Sequence, residues 1–185
     1  GLGDVYKRQV LGSIALHGLR LSETSLGSKV VVIGLGIIGQ LVCRLAEAQG
    51  SEVIGIDPDT KRTDLSANFY TSVEEANMTN VDSVIITAAT SSNEPIEVAT
   101  KIARNKAKIV VVGDIPLNIS RNDFYYKELE LVVSKSYGPG RYDKQYEILG
   151  KDYPIEYVRW TENRNFEAFI KLLSQNQIHL LDLVT

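Results

Sequence analysis

The chain has 185 residues, 44% of them hydrophobic and 23% charged, with a formal net charge of −3. That suits one domain with a sizeable core and gives no electrostatic reason to expect nucleic acid. One cysteine, Cys43, excludes an internal disulfide and a multi-cysteine zinc site, and it points to a reducing, cytoplasmic setting. With that net charge the expected partner is a small molecule, and no stretch approaches the roughly 18 apolar residues of a membrane span.

Gly1 to Gln9 (GLGDVYKRQ) shows no clear helical or strand period. It is read as a non-native scar at the edge of an incomplete sequence and set apart from the fold. Lys7 and Arg8 followed by Val10 to Leu16 imitate a signal peptide only loosely, because His17 ends the apolar run. The apolar close at Leu183-Val184-Thr185 has no stop signal, so the expected object is a fragment. Its parts are residues 1–9, a helix and turn over 10–28, and a single domain over 29–185.

Val30 to Ile33 is a β-branched run ending at Gly34, which suits a strand buried on both faces. From Ile38 to Gln49 the apolar residues fall at helical spacing, and Gly50 supplies the stop. Val53 to Ile56 is a second strand, with Asp57 next. Lys61 to Asn80 should hold a helix, a third strand and another helix, but only Asn68 to Thr71 and Val73 to Ala76 resemble such elements.

Val84 to Thr87 and Ile109 to Val112 are further strands, separated by a helix over Pro95 to Ala103. Asn122 to Lys127 reads as turn and helix and Leu129 to Val133 as a strand. Phe166, Phe169, Ile170 and Leu173 mark a last helix, capped by Thr161 or Asn163. Ile178 to Val184 is a possible edge strand, and open edges invite pairing. The pattern predicts an α/β Rossmann fold: a doubly wound parallel sheet of about six strands with helices on both faces.

Gly34-Leu35-Gly36-Ile37-Ile38-Gly39 matches G-x-G-x-x-G. The first glycine permits the tight turn, the second lets backbone approach a pyrophosphate, and the third allows close helix-to-strand packing. The diphosphate then sits at a helix N-terminus, where unpaired N–H groups and the helix dipole favour negative charge. A glycine triplet alone also marks ordinary turns. Here it follows a buried strand, opens a helix, and has Asp57 18 positions beyond Gly39 at the end of the next strand. Asp57 should accept from the adenosine ribose hydroxyls and repel a 2′-phosphate, favouring NAD over NADP, although Arg62 could instead welcome that phosphate. Thr87, Ala88, Ala89 and the Gly113-Asp114 turn should lie along the cleft, either against the cofactor ring or simply packed.

Catalytic residues are not visible. Short-chain dehydrogenases pair a tyrosine with a lysine four residues on, and none of the nine tyrosines has one. His17 and His179 lack partners at metal-ligand spacing and read as packing or surface residues, so no metal site is expected in this chain. The loop Ser136 to Asp143 (SYGPGRYD) offers Tyr137 and Arg141 as possible substrate-side residues, or as a turn whose aromatics pack on helices. The run Arg159 to Arg164 reads as the start of a helix with salt bridges.

Three segments together resemble a known family: Gly12 to Gly18 leading to VVVIGLGIIGQ, Ile86 to Thr90 with Asn93-Glu94-Pro95, and SYGPGRYD with YPIEYVRWTENRN. From Val10 to Thr185 the chain resembles the cofactor half of medium-chain, zinc-type alcohol dehydrogenases. In particular it is similar to bi-domain oxidoreductases fused to a Gfo/Idh/MocA-type unit. The resemblance implies a hinge helix at Val10 to Leu21 and a preceding catalytic domain that holds any zinc. It also implies a cofactor site of Gly34, Leu35, Gly36, Ile37, Ile38, Gly39, Asp57, Arg62, Thr87, Ala88, Ala89 and Gly113, a sugar-like substrate and a possible homodimer. The competing reading is a regulatory, RCK-like nucleotide sensor, which fits Gly34 to Asp57 but leaves the tail segments unexplained.

Overall fold

Four consecutive β-branched residues, Val30 to Ile33, are buried on both faces in the computed structural model, which describes residues 2–180 and 183. They belong to β1 (Lys29–Ile33), at the centre of a six-stranded sheet with β2 (Glu52–Ile56), β3 (Phe69–Tyr70), β4 (Val81–Ile86), β5 (Ala103–Val111) and β6 (Glu130–Val133). Every pairing is parallel and the order is β3-β2-β1-β4-β5-β6. This is the doubly wound order, reversing between β1 and β4, with the crevice outside the carboxyl ends of those strands.

Alternation along each strand sorts the side chains into two cores. Val30, Val32, Ile85 and Val110 pack with Leu41, Val42 and Leu45 of α2 (Ile37–Ala48) and with Leu16 and Leu19 of α1 (Leu2–Leu21). Val31, Ile33, Val84, Ile86, Ile109 and Val111 face Ile96, Ala99 and Ile102 of α5 (Glu94–Ile102). Phe169 of α8 (Glu162–Ser174) is fully buried in the first core, where a Cβ on Gly12 of α1 would lie 2.2 Å from its ring. Thr161 caps α8 by accepting from the Arg164 N–H.

The remaining short elements are α3 (Thr60–Thr63), α4 (Val73–Ala76), α6 (Arg121–Lys127) and α7 (Lys144–Glu147). Three boundaries differ from expectation. The first helix extends back from Val10 to Leu2, because each residue added to an existing helix gains a hydrogen bond for little ordering cost. β5 starts at Ala103 rather than Ile109: Val81 pairs with Ala103, and the register then jumps to Ser83 with Lys108. The irregularity spans Arg104, Asn105 and Lys106, whose polarity hides any strand period. Of the proposed 178–184 edge strand, residues 178–180 and 183 carry no strand, and the others lie outside the described residues. Among the described residues no helix is long and apolar enough to cross a membrane.

Cys43 lies inside α2, fully buried, and burial pushes its thiol well above the usual range. Thiol reagents should therefore leave the native chain unmodified and titrate one thiol after denaturation. Rapid labelling of native protein would contradict this packing.

Candidate functional site

The turn out of β1 is built by steric necessity. Gly34 has φ of +98°, and a Cβ there would lie 2.5 Å from the Ala88 backbone nitrogen. Gly39, in the first turn of α2, is tighter: its Cβ would be 1.8 Å from the Gly34 carbonyl oxygen. Leu35 is fully buried and anchors the turn in the core. Gln40 Nε2 donates to the Leu35 carbonyl at 2.7 Å, and Thr87 Oγ1 donates to the Gly34 carbonyl.

Gly36 stands apart from these. A Cβ on it would meet no atom within 4 Å, so nothing in the protein explains the absence of a side chain. It is the N-cap of α2, no side chain caps the helix, and the first turn holds no acidic residue. An anion could thus approach the backbone N–H groups at the start of α2 unobstructed, as a dinucleotide diphosphate requires.

Asp57 closes the other side. It is 3% exposed, and its Oδ2 accepts from the Leu35 N–H at 2.7 Å and Arg62 Nη1 at 3.1 Å. Its Oδ1 accepts from the Asp59 N–H at 2.9 Å. A carboxylate offers about four acceptor sites, so one remains for a ribose hydroxyl. Arg62 Nε is buried without a hydrogen-bond partner, 3.7 Å from Asp59 Oδ2.

Gly34, Gly36, Asp57, Arg62, Thr87, Ala88 and Ala89 line one cavity of about 640 Å³, a size suited to a cofactor. Ile37, Ile38 and Gly39 sit behind its rim in the helix start. Sequence reasoning gave no site role to Pro58, Ser72 and Glu74, nor to Glu94, which it quoted only within a motif, and these also line it. They come from the weakly patterned 58–76 stretch and from α5, and only their position after strands marks them. Gly113 does not line the cavity: its Cβ would fall 1.9 Å from the Ala88 carbonyl oxygen, so its small size serves packing under that wall.

Tyr137 and Arg141 lie in the loop after β6 and do not line the cavity either. Arg141 Nη1 binds Glu147 Oε1 at 2.6 Å and lies over the Tyr137 and Tyr142 rings, 4.8 and 4.3 Å from their centroids. That bond holds the Glu147 carboxyl below its ordinary range, and burial raises the Tyr137 phenol. Arg141 is thus occupied rather than poised to clamp an anion. In the Arg159–Arg164 run, Arg164 makes the expected salt bridge, to Asp152, whereas Arg159 stacks on Trp160. His17 is buried against Gly138, and burial with the nearby Arg20 charge lowers its imidazole. Among the described residues no group of three or more His, Cys, Asp or Glu is placed to hold a metal.

Six parallel strands in this order, an open glycine at an uncapped helix start and a buried carboxylate ending the next strand define a dinucleotide-binding Rossmann domain. Residues 6–124 match the D-isomer specific 2-hydroxyacid dehydrogenase, NAD binding domain family, and the chain belongs to it. Among curated proteins it is similar to 2-dehydro-3-deoxy-L-galactonate 5-dehydrogenase of Pseudoalteromonas atlantica, 29% identical over 157 residues that cover 74% of this chain and 44% of the relative.

Its fold is that of galactitol-1-phosphate dehydrogenase from Escherichia coli, with a TM-score of 0.71, 20% identity and coverage of 96% of this chain and 51% of that one. A zinc-binding dehydrogenase of Sinorhizobium meliloti 1021, solved bound to NADP, gives a TM-score of 0.67 at 21% identity, covering 92% and 48%. The chain thus spans about half the length of the relatives it matches. The neighbours include alcohol dehydrogenases, sugar dehydrogenases and a zinc-binding dehydrogenase, and the resemblance read in the sequence holds at the level of this shared fold. The matched family segment ends at residue 124, within α6, so β6 and the tail lie outside it.

Proposed function

We propose that this chain is the cofactor-binding half of an oxidoreductase that moves hydride between nicotinamide and an alcohol or carbonyl carbon of a sugar-like substrate. The observation that carries the reading is Gly36: open space at an uncapped helix start, facing the same cavity as Asp57. The names of several relatives, among them 2-dehydro-3-deoxy-L-galactonate 5-dehydrogenase, D-xylulose reductase and galactitol-1-phosphate dehydrogenase, support the substrate class. When bound, the nicotinamide ring accepts or donates the hydride. The residues here hold and orient it: the start of α2 takes the diphosphate, and Asp57 and Arg62 fix the ribose.

Groups that polarise the substrate belong to the remainder of the longer protein, so the chain alone should bind without turnover. The β6 edge, unpaired on its outer side among the described residues and with Val133 exposed, suits pairing of two copies, and the lone buried cysteine suits a reducing cytoplasm.

Asp57 argues for NAD over NADP, because a 2′-phosphate would face a buried carboxylate. Calorimetry should show NADH binding at least about tenfold tighter than NADPH, a difference of about 1.4 kcal/mol. Asp57→Asn should narrow or invert that ratio, since it removes the negative charge and frees Arg62. Failure of the native chain to bind either dinucleotide would overturn the assignment.

A further inference from the structure

Trp160 is the chain's one tryptophan, and two guanidinium groups lie on its ring: Arg20 at 3.3 Å and Arg159 at 3.8 Å from the centroid. The two cations therefore cannot be farther apart than those two distances combined. Arg62, Arg104, Arg141 and Arg164 each meet a carboxylate. Among the described residues Arg20 and Arg159 meet none. They take opposite faces of the indole, since two guanidinium groups this close to one centroid would overlap on the same face, and two like charges on one ring without a counter-charge are unfavourable.

Arg20 is also held in place. Its Nε donates to Asn165 Oδ1 at 2.9 Å. Asn165 is fully buried, its Nδ2 donates to the Tyr137 carbonyl at 3.1 Å, and its backbone N–H donates to Thr161 at 2.9 Å. The side-chain amide is thus fixed at both ends and fixes the guanidinium in turn. Neither terminal nitrogen of Arg20 has an acceptor, and neither is a buried unsatisfied atom, so both are open to solvent. A planar donor fork, stacked and preset, with a second cation across the ring, offers donors that an oxyanion at the ring edge can accept from. The mutual repulsion shows in Arg20, where burial and the Arg159 charge lower the guanidinium to about 10.

We propose that Arg20 and Arg159, mounted on Trp160, form an oxyanion site for a small molecule bearing a phosphate or carboxylate group. None of the three lines the dinucleotide cavity, so this is a second site. Because Asn165 also carries the Tyr137 carbonyl, occupancy of the site bears on the 136–143 loop.

The lone tryptophan is the reporter. Its fluorescence in the 185-residue chain should change saturably with inorganic phosphate, but not with sodium chloride at matched ionic strength. Acetate and citrate form a parallel arm: a stronger response to phosphate assigns a phosphate group, and a stronger response to the carboxylates assigns a carboxylate. Arg159→Gln, at an exposed position, should fold normally and weaken binding about tenfold, as loss of one charge-assisted partner would. Arg20→Lys should also weaken it, since the charge stays and the fork is lost, and calorimetry on both variants guards against altered indole emission. A response that follows ionic strength alone would overturn the proposal. So would phosphate binding unchanged in both arginine variants, or binding lost in Gly36→Val but kept in Arg159→Gln, which would place the anion in the dinucleotide turn.

Discussion

Gly36→Val is expected to abolish NADH binding while leaving the fold intact. The backbone at Gly36, with φ of −62° and ψ of −178°, is extended and open to any residue, and a Cβ meets nothing within 4 Å. As a substitution into open space its stability effect should stay within about 0.5 kcal/mol. The same space is where a diphosphate must come within hydrogen-bond reach of the start of α2, and two methyl groups would occupy it. Loss of those charge-assisted bonds should weaken NADH by at least about a hundredfold, or about 2.7 kcal/mol. A fluorescence titration with NADH, run beside a thermal melt, separates the two effects. Native-like affinity in this variant would remove the diphosphate from Gly36, and with it the central support for the cofactor site.

This variant also isolates what the other site residues cannot. Asp57 binds the Leu35 and Asp59 N–H groups as well as Arg62, so its carboxylate locks the glycine turn to the end of β2 before any ribose arrives. Removing it would disturb support and recognition together. A side chain at Gly36 would touch no protein atom, so a loss of affinity there reads directly on the ligand.

The strands that run through the middle of the sheet were legible because both of their faces are buried, so Val30 to Ile33 and Ile109 to Val111 are unbroken apolar runs. Asp57 was legible from its distance to the glycines, which the length of α2 and β2 dictates. What was not legible depends on contacts between distant segments. The first part of β5 is set by the pairing of Ala103 with Val81, which no local pattern of Arg104 to Lys106 could announce. The four residues of α7 rest on the Asp143 cap, accepting from the Gln145 N–H, and are too short for a period.

Gly113 looked like a cleft residue because it follows a strand, and only the carbonyl of Ala88, 25 positions earlier, explains it. Arg20 and Trp160 are 140 residues apart, and their meeting follows from α1 packing beside α8.

Gly39→Ala tests the packing half of the turn, and two general effects compete there. Gly39 lies inside α2, where alanine is favoured over glycine by about 1 kcal/mol in helix propensity. Against that, the added Cβ would sit 1.8 Å from the Gly34 carbonyl oxygen, 2.9 Å from its carbon and 2.7 Å from Thr87 Oγ1. Neither backbone atom can yield cheaply, because Gly34 is pinned by its positive φ against Ala88 and its carbonyl is bonded by Thr87. Overpacking of this kind costs about 3 kcal/mol, at the upper end for one added carbon, so the clash outweighs propensity. For a domain of this size the net loss of about 2 kcal/mol corresponds to a fall in Tm on the order of 4 to 8 °C. NADH affinity should fall with it, since relief of the clash requires α2 to move away from β1 and carries the diphosphate-binding N–H groups along. Equal or higher stability in Gly39→Ala would show that helix and strand are not in contact at this turn, whatever Gly36→Val does to binding.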